Sequence, residues 1–167
     1  LCILLVMFEQ DPRITSIAEG ENGLFCLYWS HLMEADKYSV SQKIPSVSGI
    51  YELYYEDDEK KLNLLTVAPA WLGGLRSQLS EDNEKKLNLL TVAPAWLGGL
   101  RSQIREDIES DDRKNDSLRQ ILENNKLYCR YACCTVRDDI QDTLWYLSQL
   151  YFGEKNPTHP SGRYKKI

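Results

Sequence analysis

Histidine is scarce in this chain, with His31 and His159 the two it carries. A Ser-His-Asp or Cys-His catalytic arrangement therefore has little material to draw on. Neither a phosphate-cradling glycine loop nor a nucleophile elbow occurs. Positive charge is not in surplus either. A formal charge of −5 and a pI near 5.1 argue against general attraction to nucleic-acid phosphates. The tail Arg163-Tyr164-Lys165-Lys166-Ile167 is the best local basic patch, and such a cluster near a chain end ordinarily forms a solvated terminus.

Long apolar runs are missing as well. Leu1-Cys2-Ile3-Leu4-Leu5-Val6-Met7-Phe8 falls far short of the roughly 20 residues that cross a bilayer, so no membrane association is expected. The run lacks a basic leader and a small-residue cleavage site, which speaks against a signal peptide. A buried strand and a few residues upstream of a start at Met7 both fit it. The cysteines Cys2, Cys26, Cys129, Cys133 and Cys134 are odd in number and irregularly spaced. That pattern is unlike a secreted disulfide framework and implies a reducing cytoplasm. Cys129 and Cys133, on an expected strand, would share one face and Cys134 would take the other. A zinc site there would need Cys2, Cys26, His31 or His159 to complete it, so buried free thiols are the simpler expectation.

What is present is an ordinary globular mix, 43% hydrophobic and 27% charged over 167 residues, enough for one domain with its own core. Leu24, Leu27, Tyr28, His31, Leu32 and Ala35 recur at three- and four-residue steps. They predict an amphipathic helix over residues 23–38, with His31 packed on its apolar face. Residues 39–48 read as a connector. Gly49-Ile50-Tyr51-Glu52-Leu53-Tyr54-Tyr55 predicts a strand, Glu56-Asp57-Asp58-Glu59 a turn, and residues 62–67 a second strand run that ends at Pro69. Pro69 suits a helix start, and Trp71, Leu72, Leu75 and Leu79 follow at helical spacing. Gly73-Gly74 inside that helix would cost about 2 kcal/mol relative to two alanines, which implies close approach by another backbone or by a ligand.

That passage then repeats. Residues 56–78 match residues 81–103 with one difference, Asp58 against Asn83, so units 56–80 and 81–105 form a 25-residue tandem duplication. Two copies do not make a solenoid, and the second is expected to be an insertion into an existing fold. The helix from near Pro94 should run on through Ile104 and Ile108. Ser117 is expected to cap a short helix over residues 118–124, with Asn125 as its stop. Residues 127–136 predict a third strand. Residues 138–152 predict a helix with Ile140, Leu144, Leu147 and Tyr151 on one face, closed by Gly153 and followed by an irregular tail. Asp138, Asp139 and Asp142 would stabilise the start of that helix.

With one copy removed, the order is strand, strand, helix, short helix, strand, helix. Opened by Pro45-Ser46-Val47-Ser48-Gly49-Ile50-Tyr51, this order resembles the GIY-YIG nuclease domain over residues 45–157. Gly49-Ile50-Tyr51 matches that family's first signature tripeptide. The second should end the next strand, ten residues before an arginine. Thr66-Val67-Ala68 stands ten residues before Arg76, and Thr91-Val92-Ala93 ten before Arg101, with threonine where the family has tyrosine. The resemblance implies that Tyr51 and Arg76 or Arg101 flank a scissile phosphate, and that a glutamate on the last helix holds a divalent metal. Metal and arginine would neutralise the charge that develops on phosphorus. Counted back from Pro157, the glutamate position falls near Ser148, or at Leu147 with one alignment gap, and neither residue can coordinate Mg²⁺.

The expected fold is α+β: a small antiparallel or mixed sheet of three to four strands flanked by helices, plus the N-terminal helix. Residues 1–44 form an N-terminal extension and residues 45–167 the GIY-YIG-like domain. The expected function is a non-catalytic GIY-YIG-like domain that binds nucleic acid or a protein partner, without a cofactor. One alternative is a divergent active metal-dependent endonuclease, the reading that would call for Mg²⁺. The other is a structural or oligomerising module. The first-copy strand, residues 62–67, is expected beside residues 49–55. Placing the second copy there would lengthen the hairpin connection at a cost of about 1.5 kcal/mol. The surplus strand, residues 87–92, would then pair at a sheet edge or with a second chain in a homodimer.

Overall fold

A computed structural model describes residues 11–72, 98–111 and 114–165. Among these, six strands form one mixed sheet: β1 (Arg13–Glu19), β2 (Asn22–Tyr28), β3 (Met33–Glu34), β4 (Gly49–Glu56), β5 (Leu62–Ala70) and β6 (Lys126–Cys133). The order across it is β2-β1-β6-β4-β5, with β3 also pairing β6. The β1–β6 pair is parallel and the others are antiparallel. The helices are α1 (Lys37–Lys43), α2 (Gly99–Ile108), α3 (Asp116–Asn124) and α4 (Arg137–Phe152).

Strand alternation divides the core in two. Tyr51, Leu53, Cys129 and Tyr131 face Val40 and Ile44, Leu100 and Ile104 of α2, and Leu122 of α3. Ile50, Val67, Ala132 and Cys134 face Ile140, Leu144 and Leu147 of α4. Successive side chains on one strand point to opposite faces, so α2 and α4 pack on opposite sides of β4. Cys133 joins the α2 side and Cys134 the α4 side, as the alternation predicted.

Local chemistry sets the helix ends. Asp36 accepts hydrogen bonds from the amides of Tyr38 and Ser39 at 2.9 and 3.0 Å to start α1. Asn115, rather than Ser117, caps α3 by accepting from the amide of Leu118 at 2.8 Å, and Asn125 follows its end as expected. Gly153, at φ 56°, closes α4.

The duplication is used in an uneven way. The strand beside β4 comes from the first copy, as expected: Glu52 pairs with Val67 and Tyr51 with Ala68. The helix over it comes from the second copy. The described residues 56–72 and 98–105 together make up one repeat unit, since Gly98 is the counterpart of Gly73. Residues 87–92, where a surplus strand was expected, lie outside the described residues, as does the edge pairing expected of them.

Several expectations are corrected. The α+β class and the mixed sheet stand as expected, with six strands among the described residues where three to four were expected. Residues 23–38 are not one helix but hold β2, β3 and the start of α1, and His31 is exposed rather than packed. Leu24 and Leu27 are spaced as on a helix, yet they stand on opposite faces of β2. Pro69 does not begin a helix; it lies in β5 opposite Ile50. A proline is tolerated there because, among the described residues, β5 is an edge strand. Gly73-Gly74 lie outside the described residues; their second-copy counterparts, Gly98 and Gly99, stand at the entrance of α2. Gly99 has φ 57°, and a Cβ on it would lie 2.3 Å from the carbonyl oxygen of Val47. Backbone approach is therefore what requires glycine at that position.

Candidate functional site

Tyr51, the signature tyrosine, is fully buried at the centre of β4. Its hydroxyl donates to the carboxylate of Asp107 on α2. Burial pushes the Tyr51 phenol well above its ordinary value, and the Asp107 charge adds to that. Burial also raises Asp107, against the hydrogen bonds from Tyr51 and Gln103 that lower it. Thr66 shares the Tyr51 face, being paired with Leu53, and is half-buried. Arg101 reaches from α2 to the end of α1, where its Nε donates to the carbonyl of Ile44 at 2.7 Å. Gly49 is needed for another reason: a Cβ there would lie 2.2 Å from the carbonyl oxygen of Ala132 on β6.

The structure thus brings Tyr51, Thr66 and the helix that carries Arg101 to one side of the sheet. Ser148 is on α4, on the opposite side, and is buried. Arg76 and Thr91 lie outside the described residues. Among the described residues, no group of three or more His, Cys, Asp or Glu side chains is placed to hold a metal ion. Hollows on α2 (Ser102, Arg105, Glu106, Glu109) and on α3 (Asp116, Arg119, Gln120, Glu123) are each lined by a single helix, not by a cleft between elements.

The strongest polar constellation lies elsewhere, and the sequence reading did not single it out. Glu52 points to the α4 side of β4 and is 0% exposed. Arg130, directly opposite on β6, donates from Nε to Glu52 at 2.5 Å. The Tyr151 hydroxyl donates to the other carboxylate oxygen at 2.5 Å, and Tyr54 donates as well. The Arg130 guanidinium lies 4.7 Å from the Trp29 ring centroid. Burial works against the Arg130 charge, yet the Glu52 hydrogen bond and charge raise its pKa overall. One sequence signal was available: opposite charges stand mid-strand in two otherwise apolar runs, Ile50-Tyr51-Glu52-Leu53 and Tyr128-Cys129-Arg130-Tyr131.

A second cluster ties the tail down. Asp139 and Asp142 on α4 are buried, and Nη2 of Arg163 bridges them at 2.8 and 2.7 Å. Ser16 on β1 donates to Asp139 at 2.9 Å, and the Ser161 amide donates to Asp142 at 2.6 Å. Lys165 pairs with Glu21 at 2.5 Å. The tail expected as a solvated basic patch is thus partly neutralised by acids.

Titration follows from this burial. The thiol of Cys129 and the phenol of Tyr151 are each pushed up to about 12, and Cys133, Cys134, Tyr54 and Tyr131 are also raised by burial. In the unfolded chain these groups release protons near their ordinary values, while the folded chain keeps them. Stability is therefore complete below those values and lost as pH rises through them. We expect the melting temperature to fall steadily from about pH 8.5 to about pH 11, where free thiols and phenols titrate. A melting temperature that stays flat across that interval would contradict the burial assignments.

Comparison with known proteins places the chain at family level. The model of a family described as an uncharacterised protein matches it twice, over residues 13–85 and 80–167. The chain belongs to that family. Each match takes in one full copy of the repeat. No curated protein and no solved structure matches the chain. Among the described residues, no helix is long and apolar enough to cross a membrane.

Proposed function

We propose that the chain is a non-catalytic GIY-YIG-like domain that binds a protein partner by accepting an extended strand at β2. The GIY-YIG part of this reading is supported by Gly49-Ile50-Tyr51 opening β4 and by the order β4, β5, α2, α3, β6, α4. The non-catalytic part is supported by how the signature side chains are used. The Tyr51 phenol is spent on Asp107, the Arg101 Nε on a backbone carbonyl, and Ser148 is across the sheet.

One observation carries the binding reading. Among the described residues β2 ends the sheet, and beside its edge the cross-strand partners Ile17 and Leu24 are 63% and 51% exposed. They occupy the face opposite Ser16, which is turned to α4. An edge strand offers unpaired backbone groups to a partner strand, and apolar side chains beside it supply the complementary contact. The acidic net charge and the paired tail favour a protein over nucleic acid.

Two measurements test this. Purified protein with Mg²⁺ should neither cleave nor retain branched or single-stranded DNA; cleavage abolished by Tyr51→Phe would overturn the non-catalytic reading. The double variant Ile17→Lys/Leu24→Lys should melt like the parent, because exposed substitutions stay within about 0.5 kcal/mol each. It should also lose the proteins that the parent captures from cells. A large fall in melting temperature would instead mean that the chain itself covers this face.

A further inference from the structure

Among the described residues the sheet has two edges, β5 and β2, and their chemistry differs. β5 carries Pro69, and its pairing with β4 shifts register between Leu53 and Tyr54. Prolines and bulges are ordinary devices that keep an edge from accepting another strand. β2 has neither. Its residues, Asn22-Gly23-Leu24-Phe25-Cys26-Leu27-Tyr28, include no proline and no charged side chain, and they pair with β1 without a register shift.

The hairpin decides which backbone groups β2 turns outward. Gly20 and Glu21 form a two-residue turn, so Glu19 and Asn22 are a hydrogen-bonded pair. Such pairs recur at every second residue of an antiparallel ladder, here at Leu24, Cys26 and Tyr28. The carbonyl of Pro12 has the matching phase: it faces away from β2 and accepts from the Cys133 amide on β6 at 3.1 Å. Gly23, Phe25 and Leu27 therefore aim their amides and carbonyls at the open edge. Among the described residues nothing hydrogen-bonds these groups.

Their spacing is self-complementary. An antiparallel copy of β2 centred on Phe25 pairs Phe25 with Phe25 and Gly23 with Leu27, so every outward group meets a partner. The side chains agree with that register. Leu24 falls opposite Cys26 of the second copy, which extends the exposed pair Ile17 and Leu24 into one apolar strip across both hairpins. The two Phe25 rings meet on the α4 side of the sheet, where aromatic cross-strand pairs are favourable. Charge selects the antiparallel direction. Glu19 and Glu21, at the turn end of one hairpin, come to the Arg13 end of the other. A chain with a net charge of −5 otherwise repels its own copy, and β2 presents none of that charge.

We propose that the strand accepted at β2 is β2 of a second copy of this chain, which makes the protein a two-fold dimer built on one continuous sheet. This rests on the strand-accepting reading given above and names its partner.

Sedimentation of the full chain should give a dimer in which the amides of Gly23, Phe25 and Leu27 are protected from hydrogen exchange. Ile17→Lys/Leu24→Lys sets lysines of both copies side by side, and that repulsion should weaken the dimer at least about 100-fold. Leu24→Cys reads the register. The introduced thiol and Cys26 of the second copy would form a non-hydrogen-bonded pair with Cα atoms about 4.5 Å apart, within disulfide reach. An oxidised glutathione buffer should therefore link this variant through those two positions. The parent should stay unlinked at Cys26, because its two Cys26 residues are diagonal neighbours about 7–8 Å apart. A dimer that survives the lysine variant overturns the proposal, as does a Leu24→Cys dimer that stays unlinked or links through another pair. A monomeric parent overturns it too, and then separates the two readings. If that monomer captures from cells proteins that the lysine variant loses, β2 accepts a strand of another protein and the self-pairing alone falls. If the three amides are protected in the monomer, the chain itself covers the edge and both readings fall.

Discussion

Glu52→Ala should destabilise the fold by about 3–5 kcal/mol, the usual result of removing one partner of a buried ion pair. In a chain of this length that lowers the melting temperature by roughly 10 °C or more. The carboxylate accepts from Arg130, Tyr54 and Tyr151, so its removal leaves one half-buried cation and two phenols without their acceptor. Arg130→Ala should cost a similar amount for the converse reason, since the fully buried Glu52 carboxylate would lose its cationic partner. It also removes the contact with Trp29. Glu52→Gln should fall between, because the amide oxygen still accepts from a phenol but no longer meets a cation. The double variant Glu52→Leu/Arg130→Met should recover most of the loss, since well-packed apolar pairs often match buried ion pairs in stability. Calorimetric melts of the four variants decide the matter. A Glu52→Ala melt that overlays the parent would mean that water or another donor replaces what the pair provides.

How much of this was legible depends on how far apart the interacting residues stand in sequence. From residue 49 on, the order of elements could be read because each carries a local signal. Tyr-rich alternation marks β4, Asn125 follows α3, and Gly153 closes α4. The first-copy strand beside β4 was also readable, from the short acidic turn between them. The N-terminal half was misread because β2 is buried on one face beside a turn. Its Leu24, Leu27, Tyr28, His31 and Leu32 fit a helical period, while the true period of two is carried by Gly23, Phe25 and Leu27 facing α4. Leu24 is apolar and faces outward, which hides the alternation. The β-branched run of β1 and the turn at Gly20, φ 61°, were the signals for a hairpin. The site was less legible than the fold. Tyr51 can be picked out by its tripeptide, but nothing local says that its hydroxyl meets Asp107. Glu52 and Arg130 stand 78 residues apart and meet through strand register alone.

Distance in sequence also hid the role of the tail, and there the second large effect is expected. Asp139 and Asp142 stand near the start of α4, where acids are ordinarily explained by the helix dipole. Their burial requires a stronger partner, and Arg163 supplies it, together with Ser16 and Ser161. Burial works against the Arg163 charge, but hydrogen bonds to Asp142 and Asp139 hold its pKa well above the ordinary value. Arg163→Ala should therefore cost about 3 kcal/mol or more, because two buried carboxylates lose their shared cation. Arg163→Lys should recover only part of this, since a single ammonium does not reproduce the planar fork that spans both acids. The readout that separates a docked tail from a solvated one is amide exchange at Ser161 and Lys165. Both amides are bonded in the parent, to Asp142 at 2.6 Å and to the Glu21 carbonyl at 2.8 Å. In Arg163→Ala both should exchange at nearly the unfolded rate while the amides of β4 and β6 stay protected. If the melting temperature and these two amides are unchanged, Arg163 is not what holds the tail on α4, and Ser161 and Tyr164 must do so without it.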